Sequence, residues 1–150
     1  MKPKVLIIGL GKIGMMYNFY NKKIKYNNHS DAFFDNKNFQ LIGGVELNKE
    51  RRKLFRKKYK LPCYSNLKVA YKKCKPDILV LSVSTEKSEH FFECIKENNL
   101  RPKLILLEKP GSYEYIKLKF FYNYCKAKKI QLFFNYQRSY SQKLLNFRNF

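Results

Sequence analysis

The chain has 150 residues, 45% of them hydrophobic, and carries 32 Lys and Arg against 11 Asp and Glu, a formal net charge of +21. That length fits one domain with a real core. No apolar run approaches the ~18 residues of a membrane span, and the first one is short and ends in glycine, unlike a cleaved leader; a cytoplasmic location is therefore expected.

The chain opens on its most informative stretch. Residues 5–8 (Val-Leu-Ile-Ile) are continuously apolar, as suits a parallel strand covered on both faces. Gly9, Gly11 and Gly14 follow directly as G-x-G-x-x-G, with Lys12 and Ile13 inside the motif. Gly9 allows the tight turn off the strand, Gly11 lets a pyrophosphate approach the backbone, and Gly14 lets the next helix pack closely. That helix would point its free N–H groups and positive dipole end at the phosphates. A dinucleotide site is the leading reading of the turn, and a merely tight strand-to-helix turn is the alternative.

An amphipathic helix is predicted to run from Gly14 to about Tyr20, then a lysine-rich loop over residues 21–28. Ser30 is a plausible N-cap for a short second helix. Residues 39–45 read as the second strand, ending at Glu46, and Asn48 caps a helix to about Tyr59 with Leu54 and Phe55 inward. Residues 61–64 form a short third strand, and Ser65 or Asn66 caps a helix to about Cys74 that Lys75-Pro76 stops. Residues 77–83 are the fourth strand, followed by a helix from about Lys87 to Asn98. Residues 103–107 are the fifth, Ser112 caps a helix to about Lys128, and residues 130–134 are the sixth. Residues 140–150 look like the start of another helix. Strands alternate with helices throughout, which predicts a doubly wound α/β Rossmann fold, a six-stranded parallel sheet in the order 3-2-1-4-5-6.

Several residues along this frame can carry chemistry. Glu46 ends the second strand, where a carboxylate accepts from the adenine-ribose hydroxyls and repels a 2′-phosphate, favouring NAD over NADP. It lies 37 positions after Gly9, against roughly 20 in the usual fingerprint; the lysine-rich loop and the short helix account for the excess. Arg51 and Arg52 nearby can still bind a 2′-phosphate, and Glu46 can instead simply cap the next helix. Ser82, Ser84 and Thr85 leave the fourth strand at the edge of the cofactor crevice. Glu108-Lys109-Pro110 leaves the fifth beside it, and a charged pair there is costly unless paired or used. Lys109 can hold a hydroxyl and assist its proton transfer, while Pro110 raises the chance of a cis bond. A lysine–proline turn is also an ordinary strand exit.

The four cysteines, Cys63, Cys74, Cys94 and Cys125, lie far apart with no C-x-x-C pair. Reduced, scattered thiols are expected, with no metal site. The lysines are spread over almost every predicted element without a stripe of interleaved aromatics, so no specific nucleic-acid partner is expected.

The succession of G-x-G-x-x-G, an acidic end to the second strand, a Ser-Thr loop followed by His90, the Glu-Lys-Pro turn and Asn135-Tyr136-Gln137-Arg138 resembles the Gfo/Idh/MocA oxidoreductases, the glucose–fructose oxidoreductase and inositol dehydrogenase family. The likeness spans essentially the whole chain. It implies that Gly9, Gly11 and Gly14 hold the pyrophosphate and Glu46 the adenosine ribose. Ser84 and Thr85 would line the cofactor with His90 close behind, Lys109 would touch the nicotinamide ribose and the substrate, and Arg138 would lie near the nicotinamide. His29 matches a His-Ala-type segment of many members; helix capping is an equal reading for it, as is helix packing for His90. Members carry a second α/β domain that usually supplies a catalytic Asp/His pair, which nothing here matches. The expectation is therefore an NAD(P)-binding domain over residues 1–138, with residues 139–150 leading toward a missing domain. The full-length form would act by hydride transfer on a sugar, polyol or sugar-nucleotide-like substrate and could be a homo-oligomer. The alternative is a catalytically silent NAD-binding or partner-binding module.

Overall fold

A computed structural model of the chain describes residues 1–17 and 28–136. The strands are β1 (Lys4–Ile8), β2 (Gln40–Val45), β3 (Cys63–Tyr64), β4 (Ile78–Leu81), β5 (Leu104–Glu108) and β6 (Gln131–Asn135). They form one all-parallel sheet in the order β3-β2-β1-β4-β5-β6. Six helical segments connect them: α1 (Lys12–Met16), α2 (His29–Asp35), α3 (Lys49–Tyr59), α4 (Leu67–Cys74), α5 (Thr85–Glu97) and α6 (Tyr115–Ala127). This is the doubly wound arrangement of a Rossmann fold.

The unbroken apolar run of β1 follows from burial on both sides. Leu6 and Ile8 join Leu79, Leu81, Ile105 and Leu107 in a core closed by α4, α5 and α6. Val5 and Ile7 point the other way, toward Met15, Phe55 and Tyr59, because successive strand side chains alternate between faces. All four are fully buried. The carboxyl ends of β1, β2, β4 and β5 thus open side by side on one edge.

Local chemistry sets the helix starts. Asn48 and Asn66 cap α3 and α4, each accepting from the third residue on, Arg51 N–H and Val69 N–H. Both helices stop at lysines in the left-handed conformation, Lys60 and Lys75. Two expected caps are corrected. Asn28, not Ser30, caps α2, its side chain accepting from Asp31 N–H; Ser30 lies within the helix and is fully buried. Ser112 does not cap α6, which starts at Tyr115 without a side-chain cap; Ser112 Oγ instead donates to Glu89 Oε1 (2.7 Å) and accepts from Glu114 N–H (3.0 Å). Boundaries also move: α5 begins at Thr85, two residues early, because Ser84 takes the extended N-cap position. Glu108 and Asn135 end their strands rather than follow them, since they pair across the β5–β6 ladder.

The four cysteines are unbonded, and burial pushes the Cys63 and Cys125 thiols up to about 12. Among the described residues, no helix is long and apolar enough to cross a membrane and no cluster of His, Cys, Asp or Glu could hold a metal ion.

Candidate functional site

Gly9 takes φ +86° as the chain leaves β1, and its N–H donates to Val45 O (2.8 Å). A Cβ there would lie 2.7 Å from Ser82 O, so conformation and space both require glycine. At Gly14 a Cβ would run into the carbonyl oxygen of Gly9 and come within 2.9 Å of Ser82 Oγ. Gly11 is different: a Cβ there would meet only Arg51 Nη1, at 3.9 Å. The turn is packed solid at its two ends and open at its middle.

The helix after the turn begins unusually wide. The amides of Met16 and Tyr17 reach the carbonyls five residues back, those of Gly11 and Lys12, and Met15 N–H shares Gly11 O. Such π-wound turns recur at functional sites. Two hydroxyls brace the turn. Ser82 Oγ lies 2.7 Å from Gly9 O and 3.0 Å from Ile8 O, and Ser30 Oγ donates to Gly14 O at 2.6 Å. The residue expected to cap α2 therefore ties that helix to the glycine turn.

Glu46 faces the same turn from the end of β2. Its Oε2 accepts from Leu10 N–H (2.8 Å) and its Oε1 from Asn48 N–H (2.9 Å), so it both supports the glycine turn and helps begin α3. The two nearby arginines part company. Arg52 Nη1 is committed to the carbonyls of Glu46 (2.8 Å) and Leu47 (2.7 Å). Arg51 Nη1 stands 3.7 Å from Glu46 Oε2 and lines the cleft.

That cleft, of about 160 Å³, is bounded by Gly9, Gly11, Glu46, Arg51, Ser82 and Ser84. A second, of about 900 Å³, is lined by Ile13, Thr85, Glu108, Lys109, Asn135 and Tyr136 among others. The two meet at Ser82, Val83 and Ser84, which border both. The result is one crevice along the carboxyl edge of the sheet, where the strand order reverses between β1 and β4.

At the far end, Glu108 gathers three elements. His29 Nε2, at the start of α2, lies 2.6 Å from Glu108 Oε1, and Asn135 Nδ2 at the end of β6 donates to the same oxygen at 2.6 Å. Burial works to raise the Glu108 carboxyl, but the bonds from His29 and Asn135 outweigh it and hold the group below its ordinary value. Lys109, next in the chain, is exposed and borders the larger cleft. The bond between Lys109 and Pro110 is cis.

The Gfo/Idh/MocA family model, described as an oxidoreductase family with an NAD-binding Rossmann fold, matches residues 3–136. The chain belongs to this family. A search by sequence against curated proteins gave no match. Among solved structures, the domain superimposes on scyllo-inositol dehydrogenase from Lactobacillus casei with NAD(H) and scyllo-inositol bound, at TM-score 0.77 and 10% identity, covering 99% of this chain and 40% of that one. The WlbA dehydrogenase from Chromobacterium violaceum, in complex with NADH and UDP-GlcNAcA, matches at TM-score 0.76 and 16% identity, with 99% and 39% coverage. An oxidoreductase from Agrobacterium radiobacter in complex with NAD+, L-tartaric acid and magnesium matches at TM-score 0.68 and 14% identity, with 90% and 35% coverage. At such identities the likeness is one of fold. The chain spans about two fifths or less of the length of these structures.

Within this Gfo/Idh/MocA domain, Gly9, Gly11, Ile13, Glu46, Ser82, Ser84, Thr85, Glu108 and Lys109 all border the crevice, and Gly14 packs beneath the turn. Lys12 is exposed and borders neither cleft. His90 stands apart as well: it is exposed on α5, with its ring edge-on to Phe91 at 5.7 Å. Arg138, Gln137 and the helix expected over residues 140–150 lie outside the described residues. Sequence reasoning missed Asn135 as the clamp on Glu108 and Ser30 as the tie to Gly14. The first depends on strand register and the second on a helix crossing, and neither leaves a local pattern.

Proposed function

We propose that the chain holds NAD(H) along this crevice as the cofactor domain of a dehydrogenase acting on a sugar, polyol or sugar nucleotide. The observation that carries the reading is the glycine turn. It is closed at Gly9 and Gly14 and empty of side chains at Gly11, on the edge where a diphosphate would meet the backbone amides at the start of α1. On this reading the adenosine half lies in the smaller cleft. Glu46, already held in place by two backbone amides, accepts from the ribose hydroxyls and disfavours a 2′-phosphate, so NAD is preferred to NADP. The nicotinamide half lies in the larger cleft beside Ile13, Thr85 and Lys109. The bound nicotinamide supplies hydride exchange with a substrate C–OH. Lys109 donates a hydrogen bond to that hydroxyl and assists its proton transfer, while Glu108, fixed by His29 and Asn135, anchors the turn that carries it. The ligands named for the inositol and WlbA dehydrogenases support the substrate class.

A titration of NADH fluorescence tests the reading. Saturable binding supports it, and no binding at millimolar NADH contradicts it. A panel of polyols and sugar nucleotides with NAD then separates a dehydrogenase from a silent cofactor-binding module: turnover that falls in Lys109→Met while NADH affinity holds supports the first.

A further inference from the structure

The outer face of α5 and α6 carries a feature that the cofactor reading does not use. Between α5 and α6 runs an apolar groove of about 270 Å³. Its floor is the stacked pair Phe92 and Phe121, whose ring centroids lie 3.7 Å apart. Tyr124 also lines it, and its hydroxyl is buried with no hydrogen-bond partner among the described residues. Along its rim, Ile116 and Phe120 are 80% and 59% exposed. They sit four residues apart on α6, so they project on one side of that helix. An exposed apolar patch of this kind on an outer helix face marks a contact surface.

Charge decides what kind of surface fits it. The chain is strongly basic, and 12 of its 32 Lys and Arg lie in residues 49–75, along α3, β3 and α4 at one edge of the sheet. Acid collects elsewhere: four of the 11 acidic residues, Glu86, Glu89, Glu93 and Glu97, are on α5 against two lysines, Lys87 and Lys96, and Glu89 is paired with Lys117 of the same copy. Beside it α6 is basic, with Lys117, Lys119 and Lys126 and no acidic residue. Glu93 and Lys119 are both exposed and, among the described residues, take part in no ion pair. A two-fold axis over the groove lays the acidic α5 of one copy against the basic α6 of the other, twice over, and buries both Ile116–Phe120 ridges between them. The same two-fold points the basic β3 edges away from each other.

We propose that the α5–α6 face is a self-association surface, and that its occupant is a second copy of this chain. Helices of 13 residues are about 20 Å long, and both follow parallel strands and run the same way, so a two-fold along their axes sets α5 on α6 in a parallel four-helix layer of ordinary interface width. The groove shares no lining residue with either cleft of the crevice, so pairing leaves the cofactor cleft open.

Sedimentation equilibrium of the 150-residue chain tests this with three proteins: wild type, Phe120→Asp and Glu93→Lys. The wild type is expected to be dimeric at micromolar concentration. Phe120→Asp is expected to be monomeric and folded, with the wild type's circular-dichroism spectrum, because its side chain is 59% exposed, and to melt lower only by the stability that pairing adds. Glu93→Lys is expected to dimerise at least about tenfold more weakly. A wild type that stays monomeric up to about 1 mM overturns the proposal. So does a dimer that Phe120→Asp leaves intact, or an unmated groove that binds an apolar dye in a monomeric wild type.

Discussion

Ser30 shows how one hydroxyl can couple a helix to a binding turn. Its side chain is buried and its single donor goes to Gly14 O, so Ser30→Ala removes a buried hydrogen bond to the glycine turn. The expected cost is about 1 kcal/mol, read as a lower denaturation midpoint with an unchanged slope, together with weaker NADH binding because the turn loses its brace. Glu46 acts at the same scale. Its carboxylate is already engaged by Leu10 N–H and Asn48 N–H, and Arg51 stands beside it while Arg52 does not. Glu46→Gln keeps the shape and removes the charge, so the ratio of NADPH to NADH affinity is expected to rise by about tenfold. Arg51→Ala in that background is expected to reverse the gain. Titrations of both cofactors against the variants check this directly.

The helices and strands divide cleanly into what local sequence dictates and what it does not. Asn48 was legible as a cap and the α4 cap was narrowed to Ser65 or Asn66, because each precedes an amphipathic run; in the structure Asn48 and Asn66 do the capping. Asn66→Ala is expected to cost about 1 kcal/mol, measured by thermal unfolding. Ser30 and Ser112 offered the same local signal, but tertiary partners claimed both hydroxyls, Gly14 O for one and the Glu89 carboxylate for the other. The strand order was legible too, since alternating strands and helices with a glycine turn after the first leave few right-handed topologies. The wide start of α1 was not, because nothing in Lys12-Ile13-Gly14 distinguishes i→i+5 winding from an ordinary helix. Nor was the Glu108 clamp: it needs β5 and β6 in the register that sets Glu108 against Asn135, and α2 close enough for His29.

At the scale of the whole molecule, acid stability follows from the carboxylates held low. Glu108 is held below its ordinary value despite burial, by His29 and Asn135. Asp31 is held low in the same way, burial again opposing, by bonds from Lys58, Tyr59 and Asn28. A folded-state pKa below the unfolded one adds stability that is complete above the ordinary carboxyl range and disappears as pH falls through the lowered values. Glu108→Gln is accordingly expected to lower stability near neutral pH and to flatten the fall in stability on acidification below about pH 4.5. Urea unfolding across that range checks the slope.

The most direct test of the account is calorimetric titration of NADH into the wild type and into Gly11→Val. A Cβ at Gly11 meets only Arg51 Nη1, at 3.9 Å, so the variant is expected to fold with an unchanged melting temperature. Its added methyl groups occupy the space assigned to the diphosphate. The account predicts one NADH site in the wild type and at least about a hundredfold loss of affinity in the variant. Equal binding by the two folded proteins would contradict it.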